Sequence, residues 1–246
     1  FMMGDELGDL WSGCRPEHTV TVSSFEMSIH EVTNAQYAKY LNDALISGNI
    51  TVSGNYVLGS GGDYNGKRYL EMSYMSDTQN NCWISYGSGA FSVASGRETW
   101  PVVYVTWYGS RAFALYYGLD LPHEAEWEYA CRGGKKAQFG TDTGSFDSTK
   151  VNTAWHIGHP VAVGSYPSNP FGLYDMSGNV YEWCNDWYAD YTSASAVDPV
   201  GPSTGSNKIY RSGSWNSETR DCRSSNRNYF GPTGKSFVSL APRCGN

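Results

Sequence analysis

The chain has 246 residues, 40% of them apolar, so it is long enough to bury a full core. Its 17 Lys and Arg against 24 Asp and Glu give a net charge of −7 without a basic run, which argues against a nucleic-acid-binding protein. No apolar run approaches the length of a membrane-spanning helix. We therefore expect one domain over residues 1–246, with no nucleic-acid partner and no membrane-spanning segment.

The first hundred residues predict one helix followed by hairpins. From Thr33 to Leu45, apolar residues recur at helical spacing, and Thr33 with Gln36 has the form of a capping box. Residues 50–98 alternate apolar and polar side chains between Gly and Asn turns, which is typical of short antiparallel strands. We expect these strands to form a peripheral hairpin insert near residues 46–98.

Two further helices are predicted close together. In "VTWYGSRAFALYYG" the helical period returns, with Thr106 as N-cap and Gly118 as the end. In "LPHEAEWEYACRGG" the helix formers run from Glu124 to Cys131 and end at a Gly-Gly pair, but His123 stands at the N-cap and predicts a loss of capping energy. After about residue 135, few segments are periodic, so we expect mostly loops with short strands.

Several segments, in this order, resemble one known family: "HEVTNAQYAKYL", "PVVYVTWYGSRAFALYYGLDLPHEAEWEYACRGG", "NPFGLYDMSGNVYEWCNDWY" and "DCRSSNR". That family is the formylglycine-generating enzymes and their relatives. The resemblance covers almost the whole chain apart from the insert. It implies an α+β protein with a C-type lectin fold of the formylglycine-generating-enzyme type, loop-rich, with two or three helices and short antiparallel sheets.

The resemblance also bears on catalysis. Sulfatase-activating members of the family bind copper with two cysteines, whose positions fall here on Ser217 and Cys222. A serine hydroxyl is a hard, poorly ionised group that cannot replace a soft thiolate on copper(I). We therefore expect neither copper nor catalytic residues, and we interpret Cys222 as a buried or disulfide-bonded cysteine, for which Cys244 is the nearest partner. The alternative is a lone reactive thiol beside Arg223.

Other signals for cross-links and metals are weak. The six cysteines are widely spaced without a C-x-x-C pair, so disulfides and buried thiols both stay open. His156 and His159 form a loose pair that we interpret as solvated loop residues.

The turn "SGNVYEW" resembles the calcium-binding turn of the family. Its oxygen ligands would come from Asn179, the carbonyl near Val180, and Glu182, and calcium favours several such oxygens on a flexible loop. The alternative is that Asn179 tolerates a left-handed turn and Glu182 pairs with an arginine. We expect a structural calcium ion here. A second family site would use Asn152, but the downstream acid is missing.

The last segment, residues 211–246, resembles the variable proteins of diversity-generating retroelements, in which framework residues alternate with rewritten positions. The framework includes four arginines, Arg211, Arg223, Arg227 and Arg243, whose guanidinium groups can tie loops together. We predict that the following residues contact a ligand, the aromatic ones as anchors and the polar ones as adaptable contacts: Trp215, Ser217, Glu218, Tyr229, Phe230, Lys235 and Phe237. The stretch 229–232 predicts a turn with its aromatic side chains exposed.

The sequence thus favours a non-catalytic protein that presents a diversified C-terminal surface to a ligand, and we expect that ligand to be another protein. The resemblance implies a monomer on the bacterial cell surface or outside the cell, with a lipoprotein anchor as one form of display. One alternative is an oxidising enzyme of the same family that acts on cysteine or another sulfur substrate. A glycan-binding module of fixed specificity is the third.

Overall fold

The computed structural model describes residues 1–72 and 82–234. The α-helices of this described part are α1 Asn34–Ile46, α2 Trp107–Tyr116 and α3 Glu124–Arg132. Its strands are β1 Met2–Met3, β2 His18–Thr21, β3 Ile50–Ser53, β4 Tyr56–Gly59, β5 Arg68–Glu71, β6 Ile84–Gly87, β7 Ala90–Val93, β8 Glu182–Trp187, β9 Ala196–Val197, β10 Lys208–Arg211 and β11 Asn228–Phe230. Single 3-10 turns lie at Ser12–Cys14, Gly62–Tyr64 and Thr219–Cys222.

The strands form four small sheets. Their orders are β1-β2-β9, β3-β4-β5, β6-β7 and β11-β10-β8, and every pair is antiparallel except β2 with β9. Within the described ranges, no helix is long and apolar enough to cross a membrane.

The predicted helix ends are largely confirmed. Thr33 caps α1, with its hydroxyl accepting from Gln36 N and the Gln36 carboxamide accepting from Thr33 N at 2.9 Å. Thr106 caps α2 with its hydroxyl, which accepts a hydrogen bond from Gly109 N. Both caps satisfy backbone N–H groups that the first helical turn leaves unpaired.

The predicted loss of capping at α3 is wrong. Glu126 accepts from His123 N at 2.7 Å, and Asp186 of β8 accepts from Glu124 N at 2.9 Å. Asp186 also contacts the His123 ring at 3.1 Å, which raises the pKa of that imidazole. A carboxylate from a distant strand therefore does what a local threonine would otherwise do.

The hairpin insert is not peripheral, contrary to the sequence prediction. Its apolar side chains Ile50, Val57, Leu70, Ile84 and Phe91 are buried in one cluster with residues of α1 and α2. Asn42 of α1 anchors it further, since its side chain exchanges two hydrogen bonds with the Phe91 backbone at 2.8 and 3.0 Å. The insert supplies much of the core in the first half of the chain.

The second half is held by a buried ion network rather than by long strands. Glu124 and Glu128 project from α3, and Arg211 of β10 reaches both, at 2.8 and 2.5 Å. Arg227, just before β11, forms two hydrogen bonds with Glu124 at 2.6 and 2.8 Å, and Arg132 pairs with Glu128 at 2.7 Å. Burial disfavours the charged form of Glu124, but Arg227 and Arg211 hold the pKa of that carboxyl below its usual value.

The same arginines bond backbone carbonyls of the loops. Arg227 donates to Gly13 O and Ala189 O, and Arg211 donates to Ser224 O. The network therefore joins the N-terminal loop, α3 and the C-terminal sheet. This confirms the framework role predicted for Arg211 and Arg227, whereas Arg243 lies outside the described residues.

This network predicts that removing a buried carboxylate destabilises the protein far more than removing an exposed one. Replacing Glu124→Gln leaves two buried arginines short of one counter-charge, so we expect the free energy of unfolding to fall by about 3–5 kcal/mol. Urea denaturation at pH 7 measures it. The matched control is Glu218→Gln, an exposed carboxylate paired with exposed Arg220, which should change stability little. Equal losses in both variants would contradict the framework role of the network.

Candidate functional site

The structure separates the predicted ligand-contact residues into two groups. Trp215 and Ser217 are buried, whereas Glu218, Tyr229 and Phe230 are exposed, the last two by 40% and 46%. Lys235 and Phe237 lie outside the described residues. The exposed residues can meet a ligand directly, whereas the buried ones cannot.

Tyr229 and Phe230 have the predicted exposure but not the predicted turn. They belong to β11, where Tyr229 pairs with Ile209 and Phe230 with Lys208 of β10. The turn lies at residues 231–234 instead, where Gly234 N donates to Gly231 O at 2.8 Å. The ladder extends this far because the opposite strand offers a partner for each residue, which the local sequence does not reveal.

Ser217 lies in a tight corner between β10 and the 3-10 turn. Its hydroxyl donates to the Tyr181 hydroxyl at 2.8 Å and accepts from Ser214 N at 3.0 Å. Its backbone carbonyl accepts from the Thr153 hydroxyl at 2.8 Å. Ser217 is thus a fixed part of the scaffold below the surface.

Cys222 lies in the same corner and is fully buried. Its sulfur is 3.0 Å from the Thr153 hydroxyl, and because that hydroxyl donates to Ser217 O, the thiol is the donor in this contact. Burial raises the pKa of Cys222 to about 12. The backbone of Gly213, at φ +73°, passes so close that a Cβ there would lie 2.4 Å from the sulfur. The thiol is therefore held protonated and sealed.

The other described cysteines are also free thiols, and all but the half-buried Cys82 are buried. Cys14, Cys82, Cys131 and Cys184 are free, as is Cys222, so no disulfide forms among the described residues. Burial raises the pKa of Cys14 to about 11 and that of Cys131 to about 12. Cys244, the partner considered for Cys222, lies outside this part of the chain.

A strained loop covers the corner. Ala154 and Trp155 both have positive φ, +53° and +60°, and their N–H groups donate to Ser217 O and Trp215 O at 2.9 Å. Trp155 is 61% exposed, and its ring meets the Trp215 ring edge-on at 4.7 Å between centroids. Positive φ at two successive non-glycine residues is costly and is often found at functional sites.

A second aromatic group adjoins the exposed strand. Tyr229 contacts Tyr188 at 4.1 Å and Trp11 at 5.8 Å between ring centroids, and Trp11 contacts Tyr188 at 6.1 Å. We call these three residues the aromatic cluster. The Trp11 indole N–H donates to Arg227 O at 2.9 Å, which fixes the ring over the ion network. We call this cluster, together with Phe230, the next residue of β11, the C-terminal face.

Sequence reasoning found Tyr229 and Phe230 but missed three other aromatic residues. Trp155 had one usable signal, a tryptophan inside a Gly- and His-containing loop. Trp11 and Tyr188 had none, because they reach Tyr229 only through tertiary contacts.

The predicted calcium ligands are engaged within the protein. The Asn179 carboxamide oxygen accepts from Val161 N at 2.9 Å and from the Asn152 amide at 3.3 Å, and its amide donates to Glu31 at 2.7 Å. Glu182 accepts from the Trp127 indole at 2.6 Å. Asn179 has φ +58°, as the alternative of a left-handed turn expects.

The His, Cys, Asp and Glu side chains of the described ranges were the remaining candidates for a metal site. No group of three or more His, Cys, Asp or Glu in the described ranges could hold a metal. His159 is not a solvated loop residue as expected, since it stacks on Trp100 at 5.2 Å, whereas His156 is exposed.

The chain is similar in sequence to a known protein family and to several of its members. A family model for the sulfatase-modifying factor enzyme 1-like domain matches residues 1–237. The chain is 37% identical over 221 residues to the serine/threonine-protein kinase Pkn1 of Chlamydia trachomatis serovar L2, covering 88% of this chain and 32% of that protein. It is 34% identical over 242 residues to the formylglycine-generating enzyme of Streptomyces coelicolor, covering 87% of this chain and 76% of that enzyme.

A solved structure is also similar. Treponema denticola variable protein 1 superposes with a TM-score of 0.69 and 22% sequence identity, over 100% of this chain and 91% of that one. Identity this low shows a shared fold and nothing beyond it. The chain spans about a third of the length of the Chlamydia kinases it matches, so their whole-protein activity does not transfer with the match.

Calcium binding at Asn179 stays a prediction, and thermal unfolding tests it. An ion that binds only the folded chain raises the unfolding midpoint by mass action, so the sequence predicts a higher midpoint in calcium than in EGTA. Magnesium is the control, because it demands a smaller and stricter octahedral site. Identical midpoints in calcium and EGTA would show that the hydrogen bonds of Asn179 hold the turn unaided.

Proposed function

The chain belongs to the sulfatase-modifying factor enzyme 1-like family, and we propose that it uses the family scaffold to bind a ligand rather than to oxidise a sulfur substrate. The predicted fold is confirmed: an α+β C-type lectin fold of the formylglycine-generating-enzyme type, with short antiparallel sheets and, within the described residues, three helices. The sequence contains neither the H-R-D nor the D-F-G motif of protein kinases, so no kinase activity is proposed.

The observation that carries this proposal is the state of Ser217. By the sequence resemblance, it stands at the position of the first copper-binding cysteine of the sulfatase-activating relatives, and its hydroxyl already bonds Tyr181 and Ser214. A neutral hydroxyl in a saturated hydrogen-bond network has neither the charge nor the softness that copper(I) requires. The pair of thiolates needed for oxygen activation is therefore reduced to one sulfur.

The remaining sulfur supports the same conclusion. Burial raises the pKa of Cys222 to about 12, and the reactive form of cysteine is the thiolate. Arg223, the neighbour that could have lowered this pKa, turns its guanidinium to Asp9 instead. Cys222 belongs to the scaffold.

Exposed aromatic residues support a protein as the ligand. Tyr229, Phe230 and the neighbouring Trp11 are each about 40% exposed or more, and they stand on a rigid strand and loop. Protein interfaces draw most of their binding energy from a few such aromatic anchors. Tyrosine and tryptophan also lose little conformational entropy on binding.

The diversified character of the surface is part of the proposal. Exposed positions such as Glu218 and Tyr229 can change without disturbing Arg211 or Arg227, which the ion network holds beneath them. From the resemblance alone we further propose a monomer that is displayed on the bacterial cell surface or outside the cell, including as a lipoprotein. A structural calcium ion remains part of this proposal.

One observation favours a second function. The identity of 34% with the formylglycine-generating enzyme of Streptomyces coelicolor extends over three quarters of that enzyme. This similarity supports, as the alternative, an oxidising activity on a cysteine or another sulfur substrate. Such an activity would have to proceed without a thiol at position 217, by a route that the described residues do not suggest.

A copper assay separates these two functions. Incubated with copper(I), oxygen and a sulfatase peptide that carries the substrate cysteine, the wild-type chain should leave the peptide cysteine unchanged in mass spectrometry, because only one sulfur stands at the metal position. Formation of formylglycine would overturn the binding-only proposal.

A matched pair of variants checks the position assignment. Ser217→Cys should gain copper(I) binding in competition with a chromogenic chelator, since it restores two sulfurs in one corner. Ser225→Cys, another buried serine of the same segment, should gain none. Failure of Ser217→Cys to bind would show that this residue does not stand at the first cysteine position.

Codon sequencing tests diversification. Across isolates of the source organism, we expect amino-acid changes to concentrate at the exposed positions Glu218, Tyr229 and Phe230. Arg211 and Arg227 should stay constant, because removing either leaves buried carboxylates unpaired. Variation spread evenly over buried and exposed positions, or its absence, would contradict a diversified surface.

A further inference from the structure

One carboxylate of β8 serves both the backbone and a side chain at the start of α3. An oxygen of Asp186 accepts a hydrogen bond from Glu124 N at 2.9 Å, and the same oxygen lies 3.1 Å from Nδ1 of His123. Because an ionised carboxylate can only accept, Nδ1 of His123 carries the proton in this contact. The imidazole therefore binds the same oxygen that caps the helix.

The two partners differ in their access to water. The side chain of Asp186 is 6% exposed, whereas that of His123 is 30% exposed. The ring can therefore exchange protons with solvent, but water cannot hydrate the carboxylate when the ring changes its charge. Burial raises the pKa of Asp186, and the hydrogen bond with His123 opposes that shift. A buried carboxylate that loses a cationic partner is destabilised, since nothing replaces the lost interaction.

The carboxylates around the ring favour an imidazolium. They come from three parts of the chain: Asp186 of β8, Glu126 of α3, and Asp120 between α2 and α3. The hydrogen bond with Asp186 and these negative charges raise the pKa of His123 above its ordinary value, although burial opposes the shift. The N-terminus of a helix disfavours a cation, so the carboxylates must outweigh that effect as well.

A second cation near Asp186 does not replace His123. Lys208 of β10 donates to Asn185 O at 2.6 Å, and its ammonium lies 4.0 and 3.9 Å from the Trp107 and Trp187 ring centroids. Burial lowers the pKa of Lys208 to about 8, so this group stays mostly charged while a histidine titrates near neutral pH. The remaining charged or titratable groups beside Asp186 are Glu124, which Arg211 and Arg227 pair, and His18 and Asp190 of the neighbouring cavity.

The helix end that Asp186 caps leads directly into the buried ion network. Glu124, whose N–H group donates to Asp186, pairs through its own carboxylate with Arg211 at 2.8 Å and with Arg227 at 2.6 Å. A weaker cap loosens the first turn of α3, on which both buried arginines depend for a counter-charge.

We propose that His123 and Asp186 form a pH-sensitive latch on α3, closed while His123 is protonated and weakened when it loses its proton. Deprotonation turns a charge-assisted hydrogen bond into an ordinary one, which is weaker. A histidine whose pKa is higher in the folded chain than in the unfolded one adds stability that is complete below about pH 6.5. That stability is lost as the pH rises through the folded value. The latch depends on neither the proposed ligand nor the absence of catalysis.

The unfolding midpoint as a function of pH tests the latch. Thermal unfolding of the full chain is followed at about pH 6 and about pH 7.5, the range in which histidines titrate, for the wild type and for His123→Gln. Glutamine keeps a donor for Asp186 but cannot be protonated. We expect the wild-type midpoint to fall between the two pH values by more than that of the variant. An equal or smaller fall in the wild type would overturn the proposal.

His156→Gln is the matched control, because His156 is an exposed histidine of a loop. This variant should keep the full pH dependence of the wild type. If it loses as much of that dependence as His123→Gln, the effect does not belong to the latch and the proposal fails.

A second measurement needs no substitution at position 123. In an NMR titration of the wild-type imidazoles, His123 should lose its proton at a higher pH than His156, and Asp186→Asn should shift the His123 titration to lower pH. Titration of His123 at or below the pH of His156, or no shift in Asp186→Asn, would contradict the latch.

Discussion

The buried pairing of Arg211 and Arg227 with Glu124 and Glu128 is the constraint on which the second half of this protein depends. Removing four charges from water costs several kcal/mol each, and this cost is offset only if all partners are in place together. The contacts join residues more than 80 positions apart, so they hold α3 to β10 and to the start of β11 as one unit. A segment with little regular structure thereby acquires a fixed backbone on which surface residues can stand.

The same close packing decides what chemistry the chain can perform. At the corner of Ser217 and Cys222, the Thr153 hydroxyl bridges the thiol and a backbone carbonyl, and the Gly213 backbone closes over the sulfur. Burial favours the neutral thiol there, whereas a cysteine that binds copper does so as the thiolate. Family membership does not by itself imply the reaction, because a fold is shared more widely than a site.

The insert changes how the first half of the chain is built. Its apolar side chains pack into the core with α1 and α2 instead of lying outside it. A groove of about 520 Å³ lies between these two helices and the turn after β4, and none of its lining residues belongs to the C-terminal face. The exposed aromatic rings of that face are the feature on which the proposed protein ligand rests.

The sequence by itself determined the family and most helix ends, because these follow from motif order and from local patterns such as the Thr33 capping box. It also predicted the exposure of Tyr229 and Phe230. Only the tertiary structure decided that the insert is core, that Asp186 caps α3, and that Trp11 lies against Tyr229. These contacts depend on burial and hydrogen bonding between distant segments, and such pairing leaves no periodic or local signal in the chain.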